Sequence, residues 1–254
     1  MMSIFCKTLL ALGLLLNIGC GSTYYKPTSM NTPNFKEKNE LFLAANAHAS
    51  LRGGDVQAAY AFTDHFAVQG NYMKNLAEDN SSGGSFLNSY SIKITKEITF
   101  GECAIGYFMQ RNNFGTFSLF AGYGRGKVSN VIENRGQATA DFSKVFVQSS
   151  LGFREKYAEL VCSAKLATLQ YTNVNHTYTS TDAINNLNAL KNTIPILELG
   201  TVMRFGSEKI KGQMFLTGVT KLGGSNLFEY DYFTVGFGIC TQLNVIRKPK
   251  KTAQ

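Results

Sequence analysis

The alternation of apolar and polar positions is clearest over residues 102–127. Glu102-Cys103-Ala104-Ile105-Gly106-Tyr107-Phe108 leads to a polar break at 110–113, and a second run covers 116–127. In that run Phe117, Leu119, Ala121 and Tyr123 alternate with Ser118, Phe120, Gly122, Gly124 and Gly126. Successive side chains of a strand point to opposite faces, so one face is apolar and the other small or polar. The same pattern recurs along the chain. It predicts ten strands, at 41–50, 55–62, 66–74, 91–108, 116–128, 142–154, 157–169, 193–205, 213–222 and 230–243. A weak helical pattern covers 183–190.

The connections between these strands alternate in length. Those after the second, fourth, sixth and eighth strands are short; those after the third, fifth and seventh are long, with polar loops expected at 75–85, 129–141 and 172–192. Short turns on one side and longer loops on the other are the habit of outer-membrane barrels. Backbone groups in lipid must all pair, which an open sheet cannot achieve. The predicted fold is therefore all-β: a closed antiparallel up-and-down transmembrane β-barrel of about ten strands.

The two faces differ in charge. Val145, Val147, Leu151 and Phe153 oppose Lys144, Gln148, Ser150 and Arg154, with Phe146 out of pattern. Leu160, Cys162, Ala164 and Leu166 oppose Glu159, Ser163 and Lys165; Leu197, Leu199 and Met203 oppose Glu198, Gly200 and Arg204. A charge facing lipid at mid-depth costs about 2–4 kcal/mol. Glu102, Arg154, Glu159, Lys165, Glu198 and Arg204 are thus predicted to line the lumen, the carboxylates pairing with the cations. Such pairs would fill a barrel of this size, leaving it plugged or a narrow pore. Tyr107, Phe108, Phe153, Tyr157 and Phe205 near the short-turn ends, and Tyr72, Tyr123, Tyr171 and Tyr230 near the others, suit aromatic girdles.

The first residues have a different pattern. Lys7 precedes an apolar run over 8–16, too short for a bilayer, which takes about 20 residues. Residues 1–19 read as an export signal. Gly19-Cys20 then resembles a lipobox, in which the thiol is lipidated and becomes the mature N-terminus; Asn17 departs from that pattern. Residues 20–39, with Pro27 and Pro33, read as an extended lipid-anchored tether. Residues 40–243 form the barrel and 244–254 a basic tail. An even strand count puts both ends of the barrel on the periplasmic side, so the anchor is expected in the periplasmic leaflet.

Composition agrees with a membrane barrel: 17% charged residues, 24 Gly, 19 Phe and 12 Tyr in 254 residues. The net charge of +8 raises nucleic acid as a partner. The cations are dispersed, however, and the densest run, Arg247-Lys248-Pro249-Lys250-Lys251, is at the end. The lipid bilayer is the expected partner, with peptidoglycan or anionic lipid suited to the tail and no nucleic acid.

Little chemistry is encoded. Cys103, Cys162 and Cys240 fall on separate strands without metal-ligand or disulfide spacing. His48 is near Ser50 and Asp55 in sequence, a set that rim hydrolases of the outer membrane use. The reading adopted is that of polar rim residues: no catalytic residues, no metal, no cofactor, and a chain that is not an enzyme.

Glu102 with Gly106-Tyr107, Ala121-Gly122-Tyr123-Gly124, Val147-Gln148 with Gly152-Phe153, and Leu197-Glu198-Leu199 resemble strands of the small outer-membrane barrel proteins of Bacteroidota, which are loosely OmpA- or OmpW-like. The resemblance covers 41–243 and implies a fold and a location, the bacterial outer membrane. It implies no activity. The chain lacks the terminal aromatic of many such barrels. Two other classes fit the alternation: a soluble periplasmic lipocalin-like barrel, with its faces reversed, and an outer-membrane rim hydrolase.

Overall fold

A computed structural model describes residues 23–85, 88–111, 115–178, 181–223 and 227–245. The export signal, Cys20 and most of the basic tail lie outside the described residues. The strands are β1 (Glu40–His48), β2 (Gly53–Ala61), β3 (Phe66–Ser85), β4 (Asn88–Arg111), β5 (Gly115–Ile132), β6 (Gly136–Arg154), β7 (Ala158–His176), β8 (Ile194–Gly206), β9 (Ile210–Lys221) and β10 (Phe233–Asn244). One helix, α1 (Thr181–Ala189), lies between β7 and β8. Each strand pairs antiparallel with its sequence neighbours, and β1 pairs with β10 from Glu40↔Asn244 to His48↔Gly236. The ten strands therefore close into a barrel, as the alternation predicted.

The wall is uneven in height. β1 and β2 have 9 residues each, and β9 and β10 have 12. β3 to β7 have 20, 24, 18, 19 and 19. β3 to β7 thus rise above the other strands at the long-loop end. Residues 75–85 and much of 129–141, expected as loops, are strand. The inward Asn130, Ala138 and Ala140 are buried while the outward Ser129, Gln137 and Thr139 are polar, so the apolar alternation stops while ladder pairing continues. Ion pairs across β3 and β4, Lys74–Glu97 at 3.2 Å and Lys93–Glu78 at 2.8 Å, lie in this region.

Outward positions are apolar and exposed, among them Val145, Leu151, Leu166, Leu199 and Ile239. Inward positions carry the buried Glu102, Lys144, Glu159, Lys165, Glu198 and Arg204. This is the opposite of the lipocalin-like face assignment. Phe146, out of pattern in the sequence, points inward. A Cβ on Gly122, its partner in β5, would come within 2.5 Å of the Phe146 ring; one on Gly124 would come within 2.6 Å of Phe100. The inward glycines of β5 are thus the hollows into which neighbouring aromatic rings fit.

The aromatic bands need correction. Tyr107, Phe153, Tyr157 and Phe205 face outward at the short-turn end, and Tyr72 and Tyr123 at the other. Phe108, Tyr171 and Tyr230 do not. Phe108 is buried against Phe35, Tyr171 is buried below α1, and Tyr230 stacks on Phe228.

Candidate functional site

The lumen is occupied by the chain's own N-terminal segment. The stretch read as an exterior tether is buried, from Thr23 and Tyr24 through Met30 and Asn31 to Phe35. It crosses the barrel once, without joining the ladder of the wall. Among the described residues its one bridge is the parallel pair Tyr25↔Tyr230.

A buried backbone outside a ladder needs other partners. Inward side chains supply them. Asn130 Nδ2 donates to Thr23 O at 3.1 Å, Thr234 Oγ1 to Pro27 O at 2.8 Å, and Asn71 Nδ2 to Ser29 O at 3.2 Å. Gln148 Nε2 donates to Asn31 O at 2.7 Å, Arg204 Nη2 to Thr32 O at 3.0 Å, and Arg154 Nη1 to Asn34 O at 3.2 Å. In return Asn31 Nδ2 donates to Ala58 O and Gly70 O on the wall. Pro27 and Pro33 lack an N–H and so remove two donors that would need acceptors there. At the lower mouth Asn39 takes a left-handed conformation, φ 66°, and turns the segment into β1.

The contents are layered. At the long-loop mouth Tyr24, Tyr25, Phe100, Phe142, Tyr171 and Phe228 form an apolar layer with Leu187 and Leu190 at the end of α1. Phe142 stacks on Phe100 at 5.4 Å, and Tyr171 Oη donates to Tyr24 O at 2.8 Å. At the short-turn mouth Phe35, Phe42 and Phe108 close the other end. Charges lie between the two.

They fall into two groups. In the first, Lys144 Nζ is 2.9 Å from Glu198 and 3.6 Å from Glu102, while Lys165 Nζ is 2.7 Å from Glu102 and 3.9 Å from Glu198. Tyr25 Oη donates to Glu198, and Lys144 Nζ donates to Tyr25 Oη at 2.9 Å. In the second, Glu159 meets Arg154 at 3.0 Å, Arg204 at 3.2 Å and Lys211 at 2.5 Å. Arg204 also donates to Thr32 of the segment, through Nη2 to the hydroxyl at 2.9 Å. Desolvating charges is costly unless they are paired and hydrogen-bonded. Both groups are paired within the wall, and the segment adds Tyr25 to the first and Thr32 to the second.

The structure thus puts Glu102, Arg154, Glu159, Lys165, Glu198 and Arg204 inside the barrel. The sequence reading left Lys144, Lys211 and Tyr25 out of that set. Lys144 was legible there, on the same face as Gln148. Tyr25 gave no signal, because its segment has no periodicity. Cys103 and Cys162 face outward and Cys240 inward.

The residues read as a polar rim also need correction. Ser50 is exposed in the β1–β2 turn, whereas His48 and Asp55 are buried, Nε2 to Oδ2 at 3.6 Å. Ser29 of the segment donates to Asp55 Oδ1 at 2.5 Å, and Asn46 Nδ2 donates to Ser29 Oγ at 2.9 Å. The expectation that the chain is not an enzyme rested on reading these groups as polar rim residues. Their burial side by side removes that ground, and the expectation is withdrawn.

No family model matches the chain, and no curated protein does. A solved structure similar to it is OmpT, an outer membrane protein of Vibrio cholerae, 10% identical with a TM-score of 0.32. The match covers 82% of this chain and 62% of that one, so the chain spans less than two thirds of the OmpT length.

Proposed function

We propose that the chain is an outer-membrane β-barrel held shut by its own N-terminal segment, a lipid-anchored structural or interaction protein and not an open pore. The observation that carries this reading is the buried segment with its two ion groups. The apolar outer face supports a bilayer as its surroundings. In the lipidation step the Cys20 sulfur bonds to the diacylglyceryl carbon of a donor phospholipid. The headgroup phosphate leaves with the thiol proton, and hydrolysis of the preceding peptide bond frees the new N-terminus.

Planar-bilayer recording tests the closed lumen. The intact protein is expected to insert without steady conductance, and a variant lacking residues 23–36 to conduct. Steady conductance by the intact protein overturns the reading. Fractionation tests the location: the protein is expected in the outer-membrane fraction, migrating faster in gels when unheated.

A further inference from the structure

The direction in which the segment crosses the lumen bears on where the anchor sits. Thr23 is at the long-loop mouth: its hydroxyl donates to Asp231 Oδ1 at 3.3 Å, and Tyr24 N donates to Glu229 O at 3.0 Å. Both partners belong to the β9–β10 connection. The other end of the segment is at the short-turn mouth. Asn34 O accepts from Gln242 Nε2 at 3.2 Å, Lys36 N donates to Glu40 Oε2 at 2.7 Å, and Lys38 N donates to Asp64 in the β2–β3 turn at 3.3 Å. From N- to C-terminus, the chain enters at the long loops and leaves at the short turns.

Consecutive Cα atoms are about 3.8 Å apart, so Cys20, three residues before Thr23, lies within about 11 Å of it. The twelve residues 24–35 in extended form span up to about 40 Å. Cys20 therefore cannot return to the short-turn mouth. Thr23 also sits beside the β9–β10 wall, the low side of the rim, where a lipid on the preceding residues meets the bilayer without climbing the tall β3–β7 wall.

We propose that the lipid on Cys20 is seated in the leaflet on the long-loop side, the outer leaflet, with the mature N-terminus at the cell surface. This rests on the lipidation proposed above. It replaces the expectation of a periplasmic anchor, which assumed that the N-terminus leaves the barrel where β1 begins. Here the segment ahead of β1 passes back through the barrel before it ends.

The test uses the full chain with Cys103, Cys162 and Cys240 changed to Ala. A membrane-impermeant maleimide is applied to intact and permeabilised cells carrying Ser22→Cys. Asn134→Cys, in the exposed β5–β6 turn, and Lys209→Cys, in the exposed β8–β9 turn, report which mouth faces outward. A clickable fatty acid reports acylation of the unsubstituted chain and of Cys20→Ser. The expected result is acyl label lost only in Cys20→Ser, with Ser22→Cys and Asn134→Cys fully labelled on intact cells and Lys209→Cys labelled only after permeabilisation. Ser22→Cys behaving like Lys209→Cys overturns the inference while the acyl label stands. So does Lys209→Cys labelling on intact cells while Asn134→Cys does not. Absence of acyl label on the unsubstituted chain removes the anchor itself, and the inference with it, while the maleimide pattern repeated with Cys20→Ser still reports the path of the segment.

Discussion

Lys144 Nζ lies 2.9 Å from Glu198 Oε1, and Tyr25 of the lumenal segment hydrogen-bonds to both side chains. Wall and segment thus share one ion group. Removing one partner strands a buried charge. Lys144→Met is expected to destabilise the barrel by about 3–5 kcal/mol, and Lys144→Met with Glu198→Leu by less than Lys144→Met alone. The midpoint of the heat-induced gel shift in detergent measures both. A double variant worse than the single would refute the pairing.

The segment's place in the lumen is open to chemical locking. A Cβ on Gly200 would lie 2.8 Å from Met30 Sδ. Met30→Cys with Gly200→Cys, in a background without the other thiols, is expected to oxidise to an internal disulfide in the folded barrel. Mass spectrometry of proteolytic fragments detects the linked peptides. Failure to form that link in a barrel that still shows the gel shift counts against the threaded path.

The inward glycines of β5 should tolerate substitution unequally with other glycines. Gly122→Val drives a side chain into Phe146 and Ala104 and is expected to cost about 1–3 kcal/mol. A Cβ on Gly70 meets nothing nearer than Glu102 O at 3.7 Å, so Gly70→Ala should change little. Denaturation in detergent compares the two, and equal effects would argue against ring-in-hollow packing.

The cap at the long-loop mouth should respond to pH. Burial pushes the Glu229 carboxyl above its ordinary value, and the Lys96 charge opposes this. Asn186 Nδ2 donates to its Oε1 at 3.1 Å, while Oε2 is buried without a hydrogen bond. A raised folded pKa means that the folded cap holds its proton more tightly than the unfolded chain does. Its contribution is fully present below the ordinary carboxylate value and is lost as pH rises through the folded value. Hydrogen exchange over residues 227–232, corrected for intrinsic rates, should quicken across that window in the parent and stay flat in Glu229→Gln.

The wall was legible because its two faces differ sharply, the outward one apolar and the inward one carrying the charges. Along 145–153 the outward positions Val145, Val147, Leu151 and Phe153 are apolar and exposed, which gives the alternation its period of two. The lumenal charges were legible for the same reason, as the face opposite the apolar one. Phe146 shows the limit: inward positions answer only to their neighbours, here Gly122 across the ladder and the two lysines, with Lys165 Nζ 4.5 Å from the ring centre. The tall hairpins were misread because outward Ser129, Gln137 and Thr139 are polar and inward Asn130, Ala138 and Ala140 are polar or small, which leaves no apolar alternation to mark them. Residues 23–36 were illegible as a plug because their partners are donors scattered over β2, β3, β5, β6, β7, β8 and β10. The pattern that holds them is written in other strands.

A segment enclosed by a ring of ten strands constrains the order of assembly. The seam between β1 and β10 is the last pairing available, since its two strands come from opposite ends of the chain. If the N-terminus already carries bulky acyl chains, it cannot be drawn through a finished cylinder narrowed by aromatic layers. The cylinder must instead be wrapped around it, so the anchor is passed across the membrane in the act of closing the seam.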